Sequence, residues 1–126
     1  MDLAKAYHEK AHIISAVRTI RHTIDPPSHI TVTDEIETEK SSQKVLIPLY
    51  MPCRPKMDEP GTIVFVKDRP QLVLTFDPDL IHCKITPKKM TDEKLFKEWG
   101  LWLHRIELTA RSKGPKIKVE LDFKQV

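Results

Sequence analysis

The stretch His8-Glu9-Lys10-Ala11-His12 sets two imidazoles four residues apart with a carboxylate beside the first. On a helix, side chains at i and i+4 project from one face, so such a pair could hold Zn²⁺ while the glutamate acts as a general base on a metal-bound water. A second group, Asp77, Asp79 and His82, could hold a divalent metal for phosphodiester cleavage. A third is basic: Lys88, Lys89, Arg111, Lys113, Lys116 and Lys118 could neutralise phosphates without reading bases.

Whether any of these groups works depends on the elements that carry it. Leu3, Tyr7, Ile13, Ile14, Val17, Ile20 and Ile24 keep helical spacing up to the Asp25-Pro26-Pro27 stop, which predicts a first helix. "HITVTDEI" and "KVLIPLYM" alternate as strands, and Pro48 places the second at a sheet edge or on a bulge. Residues 52 to 60 hold three prolines and several charges and are expected to form an exposed loop. "TIVFV" and "QLVLTF" form a hairpin around "KDRP", and "LIHCKI" is a strand with one wet face. Thr91 offers an N-cap for a second helix through Leu95, Phe96, Trp99, Trp102, Leu103, Ile106 and Ala110, stopped by Lys113-Gly114-Pro115. "KIKVELDFK" then alternates without error. The expectation is a single α+β domain over residues 1 to 126, with two helices packed on one face of a mostly antiparallel sheet of about six strands.

On that first helix, His8 and His12 lie opposite the apolar stripe and face solvent, where nothing fixes a third ligand. His8, Glu9 and His12 resemble, residue by residue, the H-E-x-x-H motif of the zincin metalloproteases. His22 shares their face but sits about 15 Å further along the axis, out of bonding reach. The motif also begins too early for the sheet that underlies the zincin helix. Asp77 before Pro78 is ordinary turn chemistry, and His82 takes the outward phase of its strand. His29-Ile30-Thr31 resembles one half of the paired signature of the 2H phosphoesterases, but the other strand histidine, His82, is followed by Cys83 and Lys84 where the hydroxyl belongs. No catalytic residue, metal or cofactor is therefore assigned, and Trp99 and Trp102 are placed in the core by their spacing.

The charge distribution favours the basic group. Net charge is +3, yet residues 84 to 126 carry 11 Lys/Arg against 6 Asp/Glu, while residues 25 to 83 carry 6 against 10. Such asymmetry suits a face that attracts phosphates or an acidic partner. The first segment is too broken by charge for a signal peptide or membrane span, and Cys53 and Cys83 have no paired spacing, so an intracellular, cytoplasmic protein with reduced thiols is expected. The resulting expectation is a small non-enzymatic binding protein that contacts nucleic acid or an acidic protein surface through Lys88, Lys89, Arg111, Lys113, Lys116 and Lys118. The alternative is a self-associating assembly subunit. The order helix, strands, helix, strand resembles the small tail-completion proteins of long-tailed phages, which implies a homo-oligomer joined through strand edges and the loop at 52 to 60.

Overall fold

The computed structural model describes residues 1–8, 12–39 and 44–126. In order, the described elements are a 3-10 turn (Ala4–Ala6), β1 (Ile13–Thr23), β2 (His29–Thr38), β3 (Lys44–Met51), β4 (Arg54–Glu59), β5 (Thr62–Lys67), β6 (Arg69–Thr75), β7 (Ile81–Lys89), α1 (Glu93–Trp99), β8 (Trp102–Arg111) and β9 (Lys116–Gln125). The strands form an antiparallel six-stranded sheet in the order β1-β2-β9-β6-β5-β4 and a three-stranded sheet in the order β3-β8-β7. This is a mostly β architecture, with 64% strand and 8% helix, and it replaces the expected two helices on one sheet.

Both helical expectations fail for physical reasons. Residues 13 to 23 are rich in β-branched Ile, Val and Thr, which are stiff in a helix and fit a pleated surface. They pair antiparallel with β2, from Ile13 opposite Thr38 to Thr23 opposite His29. The second helix lasts only seven residues because Gly100 takes φ +85°, a left-handed conformation that ends it. Beyond Gly100, the inward residues Ile106, Leu108 and Ala110 recur every second position and are buried.

The remaining strands follow their alternation. Pro48 lies on β3, an edge strand of the small sheet. Arg54–Glu59, expected as loop, is the irregular edge strand β4, exposed along most of its length and out of register between Lys56 and Glu59. The core lies between the sheets: Ile63, Phe65, Leu74, Ile117, Val119 and Leu121 from the large sheet meet Ile81, Ile106, Leu108 and Ala110 from the small one. Each of the large fully buried side chains, Ile63, Phe65, Leu74, Ile106, Leu108 and Val119, contributes roughly 1.5–3 kcal/mol.

Two local features lock the sheets. Arg18 on β1 donates two hydrogen bonds to the buried carboxylate of Asp34 on β2, at 2.7 and 2.8 Å, and this pairing raises the guanidinium pKa further. Gly61, in the β4–β5 turn at φ +80°, accepts from the Phe76 amide (2.9 Å), and a Cβ there would stand 2.5 Å from the Phe76 carbonyl oxygen. Gly61→Ala should therefore cost at least about 2 kcal/mol, combining left-handed strain with a backbone clash. A urea midpoint equal to that of the parent chain would contradict the packing assigned to this turn.

Candidate functional site

The six basic residues singled out by charge are separated by the strands. Lys88 and Lys89 end β7, opposite Leu103 and Trp102, whereas Arg111 ends β8 opposite Lys44. Nine strand residues, about 30 Å, divide the two groups. Lys113 lies in the β8–β9 turn, and Lys116 and Lys118 stand directly opposite Glu37 and Glu35 on β2. That pairing sets acids beside the bases along the outer face of the large sheet, which dilutes its attraction for a polyanion.

At the other end, α1 presents aromatic rings to solvent. Asp92, and not Thr91, caps the helix: its carboxylate accepts from the amides of Lys94 (2.8 Å) and Leu95 (3.3 Å). No residue of α1 is buried. Phe96 and Trp99 are each 49% exposed, and Trp102, at the start of β8, is 47% exposed, so neither tryptophan is the core residue its spacing suggested. The helical spacing of these residues survives only to Gly100, and the core contains neither indole.

These rings border a crevice of about 930 Å³, whose other walls include Pro52, Arg54, Val66, Lys67, Pro87, Lys97, Glu98 and His104. Lys89 lies opposite Trp102 on the adjoining strand. Burial lowers the His104 pKa from its ordinary value of 6.5, and the charge of Arg54 lowers it further. The crevice thus gathers aromatic faces, several cations and a histidine favoured in its neutral form, with Glu98 as its acidic member. Arg54, Lys67 and Lys97 were not distinguished in the sequence, where they fall in a proline-rich segment, a hairpin turn and a short helix. Gly100 is the signal the sequence does offer, since a helix that ends there releases both tryptophans from the core stripe.

The groups that suggested metal chemistry lie elsewhere. His12 is outside any helix, at φ 53°, with Nδ1 3.0 Å from Glu39 Oε2. His8 also lies outside a helix, and Glu9 falls outside the described residues. Asp77 accepts from the Asp79 amide (2.9 Å), as the turn reading requires, while His82 points outward on β7. His29 Nε2 meets Asp122 Oδ1, and Thr31 donates to the same oxygen (3.1 Å), forming a polar cluster in a second crevice of about 630 Å³ on the large sheet. One imidazole nitrogen serves both neighbours, since Thr31 Oγ1 is also 3.3 Å from Nε2, so the cluster lacks the ordered nucleophile, base and orienter of a relay. Among the described residues, no group of three or more His, Cys, Asp or Glu side chains is placed to hold a metal ion. Cys53 and Cys83 are free thiols, and burial raises the Cys83 pKa, which disfavours the nucleophilic thiolate. No helix among the described residues is long and apolar enough to cross a membrane.

Trp99→Ala and Trp102→Ala should each cost less than about 1.5 kcal/mol, well below the roughly 3–5 kcal/mol of a buried aromatic deletion. A larger loss in a denaturant melt would return the indoles to a structural role. The pH dependence has a definite sign. Because the folded pKa of His104 is depressed, the unfolded chain takes up its proton first, so stability falls as pH drops below about 6.5 until the folded-state value is passed. His104→Gln should flatten that part of the stability profile, and an unchanged slope would contradict the assignment.

No protein-family model matches the chain, and no curated protein matches it either. The functional reading accordingly rests on the crevice beside α1.

Proposed function

We propose that this protein is a non-enzymatic binding module for single-stranded nucleic acid, held in the crevice between α1 and the start of β8. The observation that carries the reading is the half-exposure of Phe96, Trp99 and Trp102 around a crevice that also holds Arg54, Lys67 and Lys97. Exposed rings offer faces on which unstacked bases lie, at about 1–3 kcal/mol per base, while neighbouring cations follow the phosphates. A duplex hides its base faces and would use only the cations. Lys88 and Lys89 belong to this end and extend its positive charge along β7. Arg111, Lys113, Lys116 and Lys118 lie at the far end of the sandwich or beside acids, and act at most as a weak secondary attraction.

The test is titration of the tryptophan fluorescence with a short single-stranded oligonucleotide, compared with the same sequence as a duplex. Single strands should quench the signal and bind more tightly than the duplex. Trp99→Ala or Trp102→Ala should weaken binding about 5- to 100-fold. Arg54→Glu with Lys67→Glu should also weaken it, whereas the triple change Lys113→Glu, Lys116→Glu and Lys118→Glu should have little effect. With three or four phosphates neutralised, log affinity should fall against log salt with a slope of about −2 to −3. Two results would overturn the reading: equal affinity for single strand and duplex, or displacement of the oligonucleotide by polyglutamate at matched charge concentration. The second would point instead to an acidic protein partner.

A further inference from the structure

The geometry points to a second binding surface: the outer edge of β1, which pairs with β1 of a second copy of this chain. Among the described residues, four strands lie at sheet edges: β1 and β4 in the large sheet, β3 and β7 in the small one. Three of them carry a proline, Pro55 on β4, Pro48 on β3 and Pro87 on β7, and a proline removes a donor and blocks strand addition. β1 runs eleven residues without one.

The first part of that edge already accepts a strand-like segment. Met1 N donates to Arg18 O (3.0 Å), Arg18 N to Met1 O (2.8 Å) and Leu3 N to Ala16 O (2.6 Å). Ala16 and Arg18 therefore turn their backbone groups away from β2, and by strand alternation so do Ile20 and His22. Pairing with β2 stays in register from Ala16 to Thr23, which preserves this alternation. No described residue bonds the outward amides and carbonyls of Ile20 and His22. Beside them, Ile20 is 57% exposed and Ile24 79% exposed.

A second copy satisfies this edge about a two-fold axis at His22. Antiparallel pairing about a two-fold axis must bring outward-facing residues opposite each other. An axis at Ile20 would need the position at Arg18 already taken by Met1, and an axis at Arg21 would set two guanidinium groups face to face. An axis at His22 avoids both. It sets His22 against its own copy, Arg21 against Thr23, and Ile20 against Ile24, the residue that follows β1, so the exposed isoleucines cover one another. The two large sheets then continue into each other through paired β1 strands.

Sedimentation equilibrium across a hundredfold concentration range tests the proposal. The parent chain should move from a mass of 14.6 kDa towards twice that value. Ile20→Lys combined with Ile24→Lys should weaken association at least tenfold while leaving the melting temperature of the dilute, monomeric chain unchanged. A separate pair of variants reads the register. Under mild oxidation His22→Cys should form an interchain disulfide, because its partner across the axis lies within bridging distance. Thr19→Cys should not, since its copy lies about 20 Å away along the strand. A monomer at every concentration would overturn the proposal, as would crosslinking of Thr19→Cys as readily as His22→Cys.

Discussion

Everything in this fold hangs on the apolar seam closed by β8 and β9 from opposite sides. Ile106 and Leu108 descend from the small sheet, Val119 and Leu121 rise from the large one, and all four are buried. The two strands are consecutive in the chain, so the short turn at residues 112 to 115 carries it from one sheet to the other. Ser112 fixes that turn by donating to the Lys116 carbonyl (2.9 Å) and accepting from the Gly114 amide (3.2 Å). Because β8 is the middle strand of its sheet and β9 lies between β2 and β6, burial of this seam sets the position of β3, β7, β2 and β6 through ladder bonds.

The seam also explains what is left outside. The small sheet is three strands wide and cannot cover the inner face of six. Its shadow falls on β5, β6 and β9, whose inward residues are buried, and thins out towards β1, where Ile20 stays exposed. There the Arg18–Asp34 pair replaces apolar packing. Asp34 is only 7% exposed, and its carboxylate is satisfied by two charge-assisted bonds, which specify how β1 lies on β2 without needing a covering layer. At the other end of the seam, β8 begins before the core does. Trp102 occupies the inward phase of its strand yet lies outside the core and stays half-exposed, so its ring remains available in the crevice with Trp99.

Much of this was legible in the sequence. β9 announces itself through Ile117, Val119, Leu121 and Phe123, and the β5–β6 hairpin through its apolar runs on either side of a turn where Asp68 takes φ 61°. The first segment reads as a helix because Ile13, Ile14, Val17, Ile20 and Ile24 satisfy a helical period. Only the antiparallel pairing with β2, a non-local interaction, selects the extended form. In the second case one residue decides: a helical period carried through Gly100 draws Trp102, Ile106 and Ala110 onto a helix and both tryptophans into the core, whereas the helix ends there. The crevice is not legible for the further reason that its cations Arg54 and Lys67 come from β4 and β5, far away in the chain. Charge alone marks Lys88 and Lys89, but the spacing of their aromatic neighbours points to the core.

The two surfaces outside the seam are compatible because of the strand order. Arg54 belongs to β4 and Lys67 to β5, so the aromatic crevice adjoins the edge of the large sheet opposite β1. Five inter-strand spacings, about 24 Å, separate the two edges. Pairing along β1 consequently buries nothing that the crevice uses, and it sets the two crevices of a pair at the outer ends of the joined sheet. A ligand long enough to reach both would gain avidity from the second contact without any new side chain, whereas a short oligonucleotide would occupy each crevice separately. The proline on β4 fits the same arrangement. It keeps the edge beside the crevice from accepting a strand, so that strand addition and ligand binding take place on opposite flanks of one sheet.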